Sequence, residues 1–371
     1  MYAANLHLEG FRNYIHTTVQ LSEGVNVIIG QNAHGKTNLL EAVYFLSTGR
    51  SFRSLHDKDL ITFGGEGAYL RAGIVSGGRD QTLEARIYQN RRRELFANGV
   101  KIRKLAELSG RLTTVLFCPD DLDMIKGGAA IRRKLMDQCL SQLRPGYAVA
   151  LSEFNKLYNH KTRILRDYRE KPSLLELLDD YDLRLAEQSA RLIYYRSAFT
   201  TILSRKAANI HSEFSGGAEA LEIRYTTVGG MDAQGKRPES ILTEILEHQN
   251  AHRQAELSSG LCLSGAHKDD LEISISGASA RRFASQGQAR TAAVSVKLAE
   301  RDIHFEEAGE YPLLLLDDVL SELDAGRQSF ILGRIKNGQV LITCCDDNSA
   351  FTRPGAAVIR IEKGRIAEEG V

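Results

Sequence analysis

Val25-Asn26-Val27-Ile28-Ile29-Gly30-Gln31-Asn32-Ala33-His34-Gly35-Lys36-Thr37 reads as a buried strand running into a glycine-bounded loop, and the periodic apolar run at 38–46 reads as the helix behind it. The spacing G-x-x-x-x-G-K-T is the P-loop pattern. Gly30 and Gly35 let the backbone curl so that successive N–H groups converge on phosphate oxygens. The helix start adds the positive end of its dipole. Lys36 supplies a point charge for the β- and γ-phosphates, and the Thr37 hydroxyl is placed to ligate Mg²⁺. Gln31, Asn32, Ala33, His34 and Asn38 complete the candidate nucleotide-binding stretch, with a nucleoside triphosphate and Mg²⁺ as the expected ligands.

A P-loop needs a second carboxylate for its metal. Tyr311-Pro312-Leu313-Leu314-Leu315-Leu316 is a buried strand that delivers Asp317 at its carboxyl end, where open α/β sheets place their ligands. Asp317 is expected to hold Mg²⁺ through a water as the partner of Thr37. Asp318 points elsewhere and is the candidate to orient or deprotonate an attacking water. About 280 residues separate Lys36 from Asp317, so something is inserted between them.

Composition narrows the class further. The 371 residues are 43% hydrophobic and 26% charged, with a formal net charge of +1. That balance allows two or three domains and a large core, and gives no global positive field. Cys118, Cys139, Cys262, Cys344 and Cys345 show no C-x-x-C spacing and no paired His-Cys pattern, which argues against a zinc site, and their odd number, with two adjacent, argues against a disulfide framework and for a reducing compartment. The first residues lack the basic and apolar regions of a signal peptide, and no apolar run approaches the roughly 20 residues that span a bilayer. A cytoplasmic protein with no membrane partner is expected.

Along the chain, residues 5–9, 17–21, 68–76, 82–89, 93–97 and 115–117 read as strands, with turns at Gly77-Gly78 and Asn98-Gly99. From 131 to 214 the texture turns helical. Ser173 with Glu176 predicts a capping box that restarts the helix after Pro172, with Leu174, Leu177, Leu178, Tyr181, Leu185 and Gln188 along one side of a helix of roughly 60 Å. The reading is an α/β head with a mixed sheet, interrupted by an inserted, mainly helical domain in the form of a short antiparallel arm. Its expected bounds are 1–122 and 259–371 for the head and 123–258 for the insertion.

Two further features fix the type of head. Ala284-Ser285-Gln286-Gly287-Gln288 opens a long helix, and a Ser and a Gly at a helix start form a second phosphate-binding surface. Ser321-Glu322-Leu323-Asp324 follows the aspartates like a loop lying along a dimer seam. In this order they indicate an ATP-binding-cassette-type head. Leu8-Glu9-Gly10-Phe11-Arg12-Asn13-Tyr14, residues 30–38, Gly49-Arg50-Ser51-Phe52-Arg53, residues 117–122, Arg132-Arg133-Lys134-Leu135-Met136-Asp137, and residues 265–271, 284–288 and 314–324 then follow the order of the RecF family. The chain resembles this family of bacterial recombination and repair ATPases, relatives of the SMC heads, over nearly its whole length.

The resemblance implies two heads closing on two ATP molecules, each held between one P-loop and the partner's signature. It assigns hydrolysis to Lys36 and Asp318, Mg²⁺ to Thr37 and Asp317, contact with the partner's nucleotide to Ser285, Gly287 and Gln288, and the D-loop to Ser321 and Asp324. It also implies a weak, DNA-stimulated ATPase that binds gapped or junction DNA and works with RecR and, through it, RecO and RecA in repair, replication restart and the SOS response. An aspartate at 318, where transporters use glutamate, reaches less far and suits slow hydrolysis. No histidine follows the strand ending at Thr343, so Thr343 is the candidate for the missing histidine switch. The competing readings are a transporter-type nucleotide-binding subunit and an SMC-like structural ATPase. Arg91-Arg92-Arg93, Arg132-Arg133-Lys134 and Arg281-Arg282 are candidate DNA-phosphate contacts with none singled out, and Arg50 and Arg53 face either nucleotide or DNA.

Overall fold

The amino-terminal alternation of apolar and polar residues becomes a hairpin, β1 (Tyr2–Phe11) and β2 (Tyr14–Gln20), closed by the two-residue turn Arg12-Asn13. The structure is a computed structural model and describes residues 1–345 and 355–370. After β3 (Val25–Ile29) come helix α1 (Lys36–Thr48) and strands β4 (Gly67–Ser76), β5 (Arg79–Tyr88), β6 (Glu94–Ala97), β7 (Val100–Ile102) and β8 (Thr114–Phe117). The middle of the chain forms α2 (Ala129–Leu143), α3 (Pro145–Asp167), α4 (Leu178–Ser215), β9 (Leu221–Thr226), α5 (Pro238–Ser259), β10 (Asp270–Ile275), β11 (Ala278–Ser279), α6 (Ala280–Phe283) and α7 (Gln286–Ala308). The last part forms β12 (Leu313–Leu316), α8 (Ala325–Arg334), β13 (Val340–Cys344), β14 (Ala357–Glu362) and β15 (Arg365–Gly370).

These elements make two compact units, one of Met1–Asp123 with the chain from Ala293 onward, the other of Met124–Ala292. The first unit holds two six-stranded sheets. One is antiparallel, in the order β2-β1-β4-β5-β6-β7. The other, β15-β14-β3-β13-β12-β8, is parallel except for its edge strand β15. Helix α1 contributes Leu39, Leu40, Val43 and Phe45 to a core shared with Leu6 and Leu8 of one sheet and Leu313, Leu315 and Leu341 of the other. That position explains its sequence. A helix covered on all sides has no polar stripe to keep, and even Glu41 and Ser47 are buried. It also explains why β12 and β3 are near-continuously apolar while β4 alternates, since only the parallel sheet is covered on both faces.

The second unit is mainly helical but carries a small sheet, β11-β10-β9. Helices α3 and α4 run antiparallel. Tyr147 meets Arg196 near one end of the pair (2.9 Å), and Lys161 meets Asp182 near the other (2.6 Å). Helix α5 packs beside them and brings Glu256 to the same buried lysine at 2.7 Å.

The structure corrects two expectations here. The Ser173–Glu176 capping box does not form. Residues 172–177 make a 3₁₀ segment with Pro172 at its start, and α4 begins at Leu178 without a side-chain cap. Leu177 is half exposed, and the buried stripe runs instead through Leu178, Asp182, Leu185, Ala186, Ser189 and Ile193. The periodicity missed Asp182 because its charge is neutralised by a partner distant in sequence. The second boundary also lies later than residue 258. β10 completes its sheet against β9, so residues 259–292, with the signature stretch at 284–288, pack in the inserted unit. Among the described residues, no helix is long and apolar enough to cross a membrane.

Candidate nucleotide-binding site

The P-loop joins the carboxyl end of β3 to α1, and both glycines stand where a side chain has no room. A Cβ on Gly30 would lie 2.5 Å from the Ile361 carbonyl oxygen. Gly35 caps α1 at φ 117°, and a Cβ there would meet the Asn13 amide at 2.8 Å. The Lys36 ammonium is buried inside the loop, donating to the carbonyls of Gly30 (2.6 Å) and Gln31 (3.3 Å), with Cys345 Sγ at 3.5 Å. The Cys345 thiol in turn donates to Asn32 Oδ1 at 3.0 Å. Ala33 takes a left-handed φ of 65° that turns the loop, and the His34 N–H donates to the Gln31 carbonyl.

The loop is braced from the β1–β2 turn. Asn13 Nδ2 donates to the His34 carbonyl at 2.9 Å, and its Oδ1 accepts from Asn38 Nδ2 at 2.8 Å. Tyr14 donates its hydroxyl to the Gly35 carbonyl at 2.9 Å, and Gly364, in the β14–β15 turn, donates its N–H to the His34 carbonyl. Next along the turn, Arg12 makes a bidentate pair with the buried Glu41 of α1, both bonds at 2.8 Å. The motif spacing does not reveal these braces. Asn13 and Tyr14 stand out in the sequence only as part of the opening motif, and their role depends on which strand carries them past the loop.

Across the site, Thr37 Oγ1 donates to Asp317 Oδ1 at 2.8 Å, although 280 positions separate them in the chain. The parallel order of β3, β13 and β12 brings their carboxyl ends to one edge. Thr343, at the end of β13, stands between the aspartates. Its hydroxyl accepts from the Asp318 N–H at 2.8 Å, and it lies 3.2 Å from Asp317 Oδ1 and 3.1 Å from Asp318 Oδ1. Asp318 takes a left-handed φ of 51°, which turns it away from the line of β12. Burial raises the Asp317 carboxyl above the usual carboxylate range, opposed by the Thr37 hydrogen bond and reinforced by the charge of Asp318. The 2.8 Å hydrogen bond orients the Thr37 hydroxyl, leaving its lone pairs for a hard cation, with the Asp317 carboxylate close enough to reach that cation through a water. Arg53 donates to Asn38 Oδ1 at 3.0 Å, and its charge favours the ionised Asp317. Arg50 is exposed.

The remaining candidates are placed as follows. Ser285 and Gln288 cap α7 reciprocally, with the Gln288 N–H donating to Ser285 Oγ (3.1 Å) and the Ser285 N–H to Gln288 Oε1 (2.8 Å). Gln288 Nε2 also donates to Glu219 at 2.8 Å, while Gly287 gives its carbonyl to Thr291. Ser321 donates to the Asp318 carbonyl at 2.5 Å, and Asp324 caps α8 by accepting from the Arg327 N–H at 3.0 Å. One basic cluster is split: Arg132 is buried in a bidentate pair with Asp270 (2.7 and 2.8 Å), which takes it from DNA phosphates, whereas half-buried Arg133 donates to the Asp269 carbonyl and Lys134 is exposed. Arg93 is paired with Asp57 and Arg91 lies over the Tyr88 ring.

Residues 2–365 match the family of the RecF/RecN/SMC N-terminal domain. The chain is 36% identical over 368 residues to the DNA replication and repair protein RecF of Acetivibrio thermocellus, covering 98% of this chain and 99% of that one. The chain belongs to the RecF family. A solved structure of the recombination mediator protein RecF with ATP in the RecFOR pathway superposes with a TM-score of 0.91 at 33% identity, covering 100% of this chain and 98% of that one. An Smc head domain from Pyrococcus furiosus shares the fold at a TM-score of 0.55 and 18% identity, over 98% of this chain and 95% of that one. The architecture is thus the ATP-binding-cassette head of RecF and SMC proteins with a helical insertion, and membership of the RecF family makes this an ATP-binding head of a DNA repair protein.

Proposed function

We propose that this chain is an ATP-gated DNA-binding protein of recombinational repair. Two copies close on two ATP molecules at gapped or junction DNA, and slow hydrolysis releases them. The observation that supports the reading is the Thr37–Asp317 bond beside the P-loop, the pairing that one half of a cassette ATPase site needs. In that half-site Lys36 exchanges its loop carbonyls for β- and γ-phosphate oxygens, and Asn13 and Tyr14 keep the loop from collapsing as it does so. Mg²⁺ held by Thr37 and Asp317 would neutralise charge on the phosphates. Asp318 orients the attacking water, and Thr343 fixes the orientation of both aspartates in place of a histidine switch. Ser285, Gly287 and Gln288 supply the other half to the partner's nucleotide, and Ser321 and Asp324 line the seam. The DNA-stimulated ATPase and the hand-over through RecR and RecO to RecA follow from the same reading.

The test is the mass of the protein in solution with ATP and Mg²⁺, for the wild type and for Lys36→Arg and Asp318→Asn. Wild type and Asp318→Asn dimerise, the latter persistently, and Lys36→Arg stays monomeric. A Lys36→Arg protein that dimerises with ATP as the wild type does refutes the mechanism. Binding to single-stranded, duplex and gapped DNA at a stated salt concentration then tests the gate. Equal binding with and without ATP leaves only a DNA-associated ATPase.

A further inference from the structure

We infer that the outer face of the β1–β2 hairpin is a transition-metal site of the zinc type, built from His7, Glu9 and His16. The three side chains reach the same face by strand geometry. His7 and Glu9 are two apart on β1, and His16 sits directly opposite Glu9 on β2. One ligand atom from each lies within 4.8 Å of the others. Glu9 Oε1 is 2.8 Å from His7 Nε2 and 3.5 Å from His16 Nδ1. These distances bracket the roughly 3.3 Å between ligand atoms of a tetrahedral zinc centre.

The surroundings of His7 are those of a ligand held in place. Its Nδ1 lies 2.9 Å from Thr18 Oγ1, the residue paired with it across the hairpin. A carboxylate oxygen only accepts, so in the metal-free protein the 2.8 Å contact with Glu9 is a bond from Nε2–H. A bound metal would replace that proton, and Thr18 Oγ1 would then accept from Nδ1–H, the outer-shell arrangement that metal-bound histidines use. The ring is further wedged edge-on between His16 (5.0 Å) and Tyr69 (5.9 Å), and Tyr69 is itself anchored to Glu84 at 3.0 Å. Two imidazoles and a carboxylate suit Zn²⁺ and its neighbours in the first transition row rather than Mg²⁺ or Ca²⁺, and three protein ligands leave a fourth position open. The cluster contains no cysteine, so the cysteine spacing carries no trace of it.

The location gives the site a consequence. The metal would join the two strands of the hairpin whose turn, Arg12-Asn13, braces the P-loop. It would staple the brace rather than enter the ATPase chemistry.

Titration of the full chain, freed of metal by chelation, with Co²⁺ and then Zn²⁺ tests the proposal. The wild type takes up one equivalent of Co²⁺, with visible absorption free of a thiolate charge-transfer band, and Zn²⁺ displaces it. His16→Ala and Glu9→Gln each weaken Zn²⁺ binding at least about tenfold, and Thr18→Val does so to a smaller extent. His16 is largely exposed, so its removal leaves the fold intact. Absence of stoichiometric binding in the wild type, or unchanged affinity in His16→Ala, overturns the proposal.

Discussion

Replacing Arg12 by alanine tests the claim that the β1–β2 turn and the P-loop helix are locked by a buried charge pair. Glu41 is fully buried, and its carboxylate receives both bonds of the Arg12 fork as well as the Ser51 hydroxyl. Arg12 also donates to the Asp59 carbonyl (2.7 Å) and to Ser54 (2.6 Å), tying in the segment that follows α1. Removing one partner of a buried pair leaves the other uncompensated, at a cost of about 3–5 kcal/mol. The Arg12 side chain is 19% exposed, so water reaches part of the pair and the lower end, about 3 kcal/mol, is expected. Glu41→Gln keeps the shape and removes the buried charge, and costs about 1 kcal/mol. In the double variant the orphaned charge is gone, so its loss falls short of the sum by about 2 kcal/mol. Urea unfolding of the four proteins, followed by a probe in the first unit, measures this. At an m-value of about 3 kcal/mol/M the Arg12→Ala midpoint falls by about 1 M. A cycle additive to within about 0.5 kcal/mol would show that the pair carries no coupling and refute the argument.

Asp317→Asn removes the charged oxygen beside Thr37, and ATP hydrolysis is expected to fall about 10²-fold or more while the fold, read by circular dichroism, is unchanged. Asn13→Ala deletes the bond to the His34 carbonyl, and calorimetry should find ATP bound about tenfold more weakly. Lys161→Met strands Asp182 and Glu256 in the helical unit and should destabilise it by about 3–5 kcal/mol, with Glu256→Gln recovering part of the loss. Burial holds fully buried His304 neutral, down to about pH 3. The unfolded chain takes up that proton below about 6.5, so this stability is complete above pH 6.5 and lost as the pH falls toward 3. Between pH 7 and pH 5 His304 alone should account for about 2 kcal/mol of the loss, and His304→Gln should flatten the profile by that amount.

The parts of the site legible from residues alone are those where one short stretch carries the chemistry. Residues 25–46 give strand, loop and helix in order because each has its own local signal: continuous burial, paired glycines, helical periodicity. The hairpin turns at Gly77-Gly78 and Asn98-Gly99 are legible for the same reason, since their left-handed conformations demand those residue types. The capping box at Ser173 fails because a local pattern competes with Pro172, which sets a 3₁₀ segment in its place. Asp182 escapes the apolar periodicity because burial of a carboxylate is set by Lys161 and Glu256, on two other helices.

What the sequence determined by itself is the inventory and its order: a glycine-bounded P-loop pattern, a helical insertion, a helix opened by Ser285 and Gly287, and a strand ending in two aspartates. What only the tertiary structure decided is proximity. Thr37 meets Asp317 because β3, β13 and β12 are parallel neighbours whose ends align. Asn13 reaches the loop because β1 and β2 turn beside it, and residues 259–292 join the insertion because β10 chooses β9. Strand pairing is a choice among distant segments, made by the joint burial of many side chains at once, and no window of residues records it.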